Sequence, residues 1–398
     1  MCQNHARPRE VVAVGMARTA IGNFMGSLAG FTAVDLAKIV GQEAIKRAKV
    51  DPGKIEEVTV GMVYKAGLRA NPARQVQVAL GIPVEGAAVT VEQQCASGIR
   101  ALEIACQEIL LGKSESALVV GCESMNNVPF YSMNMRKGNR MGAVKLEDGM
   151  MYDALIDVFS DVHMAFTAER VAEMYNVTRE EMDQLAVLSH QRAIAAINKG
   201  VFKQEIAPVE IKSKKGSTFF DTDEHPRLTT MEELAKMPTA FKKDGRITAG
   251  NASSLNDGAT AVVVMSLDKA NELGLKPLFK IRATASYGVK PEIMGIGPIY
   301  AIPKAVKFAG LEMEDIEYYE INEAFAAQAI PCVKELGLDM KNVNANGSGI
   351  SLGHPVGSTG IRIVTAAYYE LERRNQKYAC SSLCAGGGPA MAVVIERM

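Results

Sequence analysis

No uninterrupted apolar run of about 18 residues occurs anywhere in the sequence, so no segment is a candidate membrane-spanning helix. The first ten residues, MCQNHARPRE, lack the apolar segment of a secretory signal. The expectation is a soluble, cytoplasmic protein with no membrane partner. Low-complexity stretches are absent, and 48% apolar against 22% charged residues excludes a disordered chain. Net charge is nearly absent too: 44 basic and 45 acidic side chains leave −1, so no global field favours nucleic acid, and an anionic ligand must be held locally. There is no disulfide framework either. The seven cysteines (Cys2, Cys95, Cys106, Cys122, Cys332, Cys380, Cys384) are odd in number and scattered, which reads as reduced thiols. Cys380 and Cys384 have no second Cys or His pair at finger-like spacing, so no metal site is expected.

What is present, over 398 residues, is room for two or three domains and an alternation of short β-branched runs with helical periods. This is the α/β pattern of a parallel sheet covered by helices. Ile99, Leu102, Cys106, Ile109 and Leu110 recur at spacings of three and four, which predicts a helix from about Ala96 to Leu111. The run ALVVG then predicts a buried strand ending at Gly121. The second half repeats the plan. Gly98 and Gly360, each in a Gly-Ile-Arg opening, lie 262 positions apart, and Ala44/Ala305 and Ile55/Ile316 lie 261 apart. A near-constant offset argues for a duplicated unit. The stretch from about Met125 to Gly250 fits neither copy and reads as an insertion over one end of the sheets. The expected divisions are residues 1–124, completed by about 251–275, then the inserted loop domain 125–250, and the second half 276–398.

In open parallel sheets, ligands bind beyond the carboxyl ends of the strands. Four residues fall at such ends: Cys95 after the run Val89–Val91, Asn322 after Ile321, His354 in NGSGISLGHPVGSTG, and Cys384 before AGGGPA. A cysteine at a helix N-terminus is expected to have its thiolate stabilised by the helix dipole, and a histidine can take its proton. Taken singly, Cys95 also fits a buried structural thiol, His354 and Cys384 fit core positions, and Asn322 fits a helix cap. Their convergence favours a nucleophilic site. Cys2, Cys106, Cys122 and Cys332 have no such setting and read as structural.

The blocks CASG, NEAFAAQ, GHPVGSTG and LCAGGGPAMA, in this order, resemble the signature blocks of the thiolases, which are acyl-CoA acetyltransferases. ARTAIGNFMGSL, NPARQ, DVHMAFTAER, DEHPR and TAGNASSLNDGA extend the resemblance over nearly the whole chain. It implies two similar α/β halves in a five-layered αβαβα sandwich with an inserted loop domain. It also implies thiolytic cleavage of a 3-ketoacyl-CoA, or Claisen condensation of two acetyl-CoA to acetoacetyl-CoA, through an acyl-enzyme on Cys95. His354 would activate Cys95, and Cys384 would be the second acid/base. One oxyanion hole would comprise His354 and a water held by Asn322; the other, the backbone N–H groups of Cys95 and Gly386. His163, Met164, Arg227, Ser253 and Met294 would meet the coenzyme A or acyl part of the substrate, and no tightly bound cofactor is implied.

Three departures from the family pattern would lie near the acyl site: Ala96 after the cysteine where glycine is usual, Ala165 in HMAFTAE, and Ser348-Gly349-Ile350-Ser351 before the histidine. They bear on substrate more than on activity, with acetoacetyl-CoA the first choice. A decarboxylating condensing enzyme would not need Cys384, and a thiolase-fold acyl or sterol carrier would have lost a catalytic position. The segment VPFYSMNMRKGNRMG resembles the loop through which bacterial-type thiolases form tetramers, so a homotetramer, a dimer of dimers, is expected.

Overall fold

The computed structural model describes residues 9–398; Cys2 lies outside them. The β-branched runs of the first half become β1 (Val11–Arg18), β2 (Glu57–Gly61), β3 (Ala88–Val91), β4 (Ser116–Ser124) and β5 (Asn256–Ser266). They pair in the order β3-β2-β4-β5-β1. Those of the second half become β6 (Phe279–Gly288), β7 (Tyr318–Ile321), β8 (Tyr378–Cys384) and β9 (Pro389–Arg397), in the order β7-β8-β9-β6. A short antiparallel ladder, Val11–Ala13 opposite Phe279–Ile281, joins the two sheets.

The orders are equivalent if β1, β2, β4 and β5 correspond to β6, β7, β8 and β9. β2 and β7 start 261 positions apart, as do the single turns Pro52–Lys54 and Met313–Asp315 before them. The counterpart of β3 is reduced to one parallel bridge, Tyr319 to Val343. The sheets are mixed rather than parallel, which corrects the expectation. β2 runs parallel to β3 and β4, and β7 to β8, but β5 and β9 run antiparallel to their neighbours. Only four residues connect β8 to β9. That is too short for a crossover, so the chain must return antiparallel. β4 also runs three residues beyond Gly121, to Ser124, and all of it is buried.

Helix α1 (Ala33–Ala48) covers the outer face of the first sheet, against Val58, Val60, Leu118 and Val120. Helix α2 (Ser97–Leu110) lies between the sheets, its residues sharing a core with Val119, Val262, Phe279 and Val393. α3 (Met164–Met174) and α4 (Arg179–Asn198) belong to the inserted stretch, and α5 (Gly297–Phe308) covers the outer face of the second sheet. α6 (Ala326–Glu335) follows β7, and α7 (Val356–Arg374) is the second helix of the central layer. The layers are therefore α1, sheet, α2 with α7, sheet, α5. This is the five-layered sandwich. Alternate residues of each strand face the two neighbouring layers, as the period of two requires: Leu118 and Val120 meet α1, whereas Ala117 and Val119 meet α2.

The glycines that revealed the repeat mark the place where α2 and α7 touch. A Cβ on Gly98 would lie 2.9 Å from the Gly357 carbonyl oxygen, and one on Gly360 would lie 2.8 Å from the Ile99 nitrogen. No larger residue fits at that contact. The inserted stretch is tied to β1 by buried Arg18, which pairs with Glu205 and Asp223, each at 2.8 Å. Its helices α3 and α4 pack, through Met164, Ala168, Met182 and Ala186, against Met294, Phe325, Ile350 and Cys384. This places them over the carboxyl ends of β7 and β8.

Candidate active site

Cys95 follows β3 on a turn in which Gln94 takes a φ of +48°, a conformation costly for a residue with a side chain. Ser97 holds the turn: its hydroxyl donates to the Gln94 carbonyl at 2.6 Å and accepts from the Gln93 N–H at 2.9 Å. The turn delivers the thiol to the edge of a cavity of about 740 Å³. Three segments distant in sequence meet there, because Cys95, His354, and Cys384 with Gly386 all line it.

The resting charge of Cys95 differs from expectation. Burial pushes its thiol up to about 12, against the opposing pull of the backbone N–H groups of Gly386 and of Cys95 itself. The dipole of α2 does not prevail over the loss of water. The resting group is a thiol.

His354, at the same cavity, offers a free ring nitrogen. Its backbone N–H donates to Asn256 Oδ1 at 2.9 Å, and its ring Nδ1 lies 2.7 Å from Thr359 Oγ1. The Thr359 hydroxyl donates in turn to the Pro355 carbonyl at 3.0 Å, so it accepts from Nδ1–H. The proton is thereby placed on Nδ1, leaving a lone pair on Nε2, which lies 3.4 Å from Asn322 Nδ2. Burial, aided by the nearby charge of Arg362, holds the imidazole down at about 3, so it is neutral at rest.

Asn322 does not line the cavity. It is wholly buried behind His354, and its Oδ1 has no protein partner. It does not cap α6, whose N-cap is Phe325. Cys384 ends β8; burial, reinforced by Cys95, pushes its thiol well up. Two protonated thiols and a neutral imidazole thus share one apolar space.

His163, Met164, Arg227, Ser253 and Met294 also line this cavity. His163 caps α3, accepting from the Ala165 N–H at 3.1 Å, and stacks on Phe241 at 4.0 Å between centroids. The Arg227 guanidinium lies 3.2 Å from His225 Nε2. The sequence reading missed Gln94, Met125, Met150, His225 and Phe241 in the lining, and Thr359 and Asn256 behind His354. Thr359 was discoverable: it stands in the first turn of the helix that begins just after His354. Nothing local marks Asn256, which reaches His354 only through the fold. Among the described residues no group of three or more His, Cys, Asp or Glu side chains is placed to hold a metal ion.

Residues 11–268 match the family described as Thiolase, N-terminal domain, and residues 275–397 match Thiolase, C-terminal domain. The acetyl-CoA acetyltransferase of Syntrophomonas wolfei is 48% identical over 394 residues, covering 98% of this chain and 100% of the relative. The solved structure of a Syntrophomonas wolfei acetyl-CoA acetyltransferase superposes with a TM-score of 0.97 at 49% identity, covering 98% of this chain and 100% of that one. Human mitochondrial 3-ketoacyl-CoA thiolase in complex with CoA gives a TM-score of 0.94 at 40% identity, with 98% of each chain covered.

Proposed function

This chain belongs to the thiolase family and is an acyltransferase with thiolase function, and on that premise we propose that it interconverts acetoacetyl-CoA plus CoA with two acetyl-CoA through a thioester on Cys95. The observation that carries the assignment of roles is the meeting of Cys95, His354, Cys384 and Gly386 in one cavity.

In the cleavage direction the Cys95 sulfur attacks the keto carbon while His354 Nε2 takes the thiol proton. The bond between that carbon and the α-carbon then breaks. The electron pair leaves on acetyl-CoA as an enolate, and the Cys384 thiol protonates it. Cys384, now a thiolate, takes the proton of incoming CoA, whose sulfur attacks the thioester and frees Cys95, with His354 returning its proton. The exchange is ping-pong and consumes no cofactor.

The N–H groups of Cys95 and Gly386 approach the Cys95 sulfur, the position from which they would reach the oxygen of a thioester formed there. The protonated His354 Nε2, with a water held by Asn322, would serve the enolate oxygen; the unpartnered Asn322 Oδ1 supports this reading. Loss of one such donor typically costs about 3 kcal/mol in the transition state. His163, Met164, Ser253 and Met294 would contact the thioester, pantetheine and acyl group, and Arg227 the nucleotide. The working enzyme is proposed to be a cytoplasmic homotetramer; among the described residues no helix is long and apolar enough to cross a membrane.

The test is to supply acetoacetyl-CoA with free CoA and follow acetyl-CoA by mass spectrometry, with Cys95→Ala and Cys384→Ala in parallel. Product from the parent protein and none from either variant supports the proposal. Turnover only with longer ketoacyl-CoAs would replace the substrate, and turnover by Cys95→Ala would overturn the mechanism.

A further inference from the structure

Under that mechanism Cys95 belongs to the first half and His354 to the second, so their register depends on what joins the halves at this point. Three first-half side chains grip the segment that carries the histidine. Asn256 Oδ1 accepts the His354 N–H at 2.9 Å, Glu123 Oε2 accepts the Gly357 N–H at 3.0 Å, and the Thr260 and Ser358 hydroxyls lie 3.0 Å apart. All three side chains are buried at the ends or centres of β4 and β5.

Glu123 does more than hold α7. The same carboxylate accepts the Val63 N–H at 2.9 Å and the Tyr64 N–H at 3.1 Å. Val63 and Tyr64 share an apolar cluster with Val356, and Cys95 packs against it. One carboxylate thus fastens the first turn of the second half's central helix to the floor beneath the nucleophile. Contact there is already close, since a Cβ on Gly357 would meet the Cys122 carbonyl oxygen at 2.5 Å and Met62 Cα at 2.7 Å. Neither Glu123 nor Thr260 lines the cavity, so neither touches substrate.

We propose that Glu123, supported by Asn256 and Thr260, is a positioning residue that clamps the His354–Ser358 turn across the boundary between the halves and sets the imidazole in register with the Cys95 thiol. This rests on the reading of Cys95 and His354 as nucleophile and base. A small displacement of a reacting group costs rate out of proportion to its cost in stability.

The experiment compares the parent protein with Glu123→Gln, Thr260→Val and His354→Ala. It measures kcat and KM per folded protein, and the pH profile of Cys95 alkylation by iodoacetamide followed by peptide mass mapping. The glutamine at 123 cannot accept all three N–H bonds, and the valine at 260 removes a hydroxyl without changing shape. The expected result is a kcat lower by roughly tenfold or more in Glu123→Gln, a smaller drop in Thr260→Val, and KM nearly unchanged. The His354-dependent part of alkylation falls in parallel. A merely structural carboxylate would lower the unfolding midpoint and leave both rates per folded molecule as they were, and that outcome overturns the proposal. If Glu123→Gln does not fold, Thr260→Val decides by the same criterion. If His354→Ala alkylates like the parent, the base assignment fails instead, a result separable from failure of the clamp.

Discussion

At Cys95 two effects oppose each other, the N–H groups and helix dipole that favour a thiolate and the apolar surroundings that disfavour it, and burial prevails. With His354 also neutral, the proposed mechanism has the thiol proton move as the sulfur attacks rather than before. Thr359 matters for that step, as its hydroxyl keeps the imidazole proton on Nδ1. Thr359→Val should therefore lower kcat by about 10- to 100-fold, through loss of tautomer control and an unpaired buried N–H, while Thr359→Ser retains most activity. Steady-state kinetics on both variants checks this. The meeting of Cys95, His354 and Cys384 at one cavity was legible in the sequence because each sits beside a strand end or a glycine-rich turn; Asn322, chosen on the same ground, lies behind His354. The resting charges were not legible. Those depend first on burial, which only the fold creates, with Arg362 adding to it at His354 and the Gly386 N–H, from 291 positions away, opposing it at Cys95.

Between α2 and α7 the paired glycines set how closely two helices approach, and through them how near the two halves of the site come. Gly98→Ala forces a methyl group against backbone of α7 and should destabilise the fold by about 3 kcal/mol, read as a lower urea midpoint with little change in m-value. The duplicated plan could be seen in the constant offset of apolar positions and of these glycines. Strand direction could not be seen. β5 and β9 are wholly or mostly buried, and a buried apolar run reads alike for parallel and antiparallel pairing. The length of the connection from β8 to β9, four residues, held the missing information. The first half offered no such cue, because the whole inserted stretch separates β4 from β5.

For the whole molecule, three imidazoles, His190 and His354 buried and His225 half-buried, weaken the fold in acid. His190 and His354 are held down at about 3, and His225 at about 4, from an ordinary 6.5, by burial with help from the charge of Arg227 or Arg362. Below their ordinary range the unfolded chain binds protons that the folded one refuses. The stability these groups contribute is present above about pH 6.5 and is lost as pH falls toward 4 and 3. Glu123 and Glu320, held up at about 7 and 8 by burial, act oppositely down to about pH 4.5, so calorimetry should show the melting temperature falling most steeply below that point. Phe130, Met133, Met135 and Leu146 are exposed on the loop after β4, and Met141 is 89% exposed. If that loop holds the proposed tetramer together, Phe130→Asp with Met141→Asp should halve the mass measured by light scattering, and an unchanged mass would refute the loop's role. The division of the site between the two halves also has a consequence for biosynthesis. His354 is made 259 positions after Cys95, which at ordinary rates of translation leaves the cysteine without its proposed base for about 15–50 s. On the proposed roles, the growing polypeptide carries an unassisted thiol over that time, and acyl chemistry waits until the second half has folded against the first.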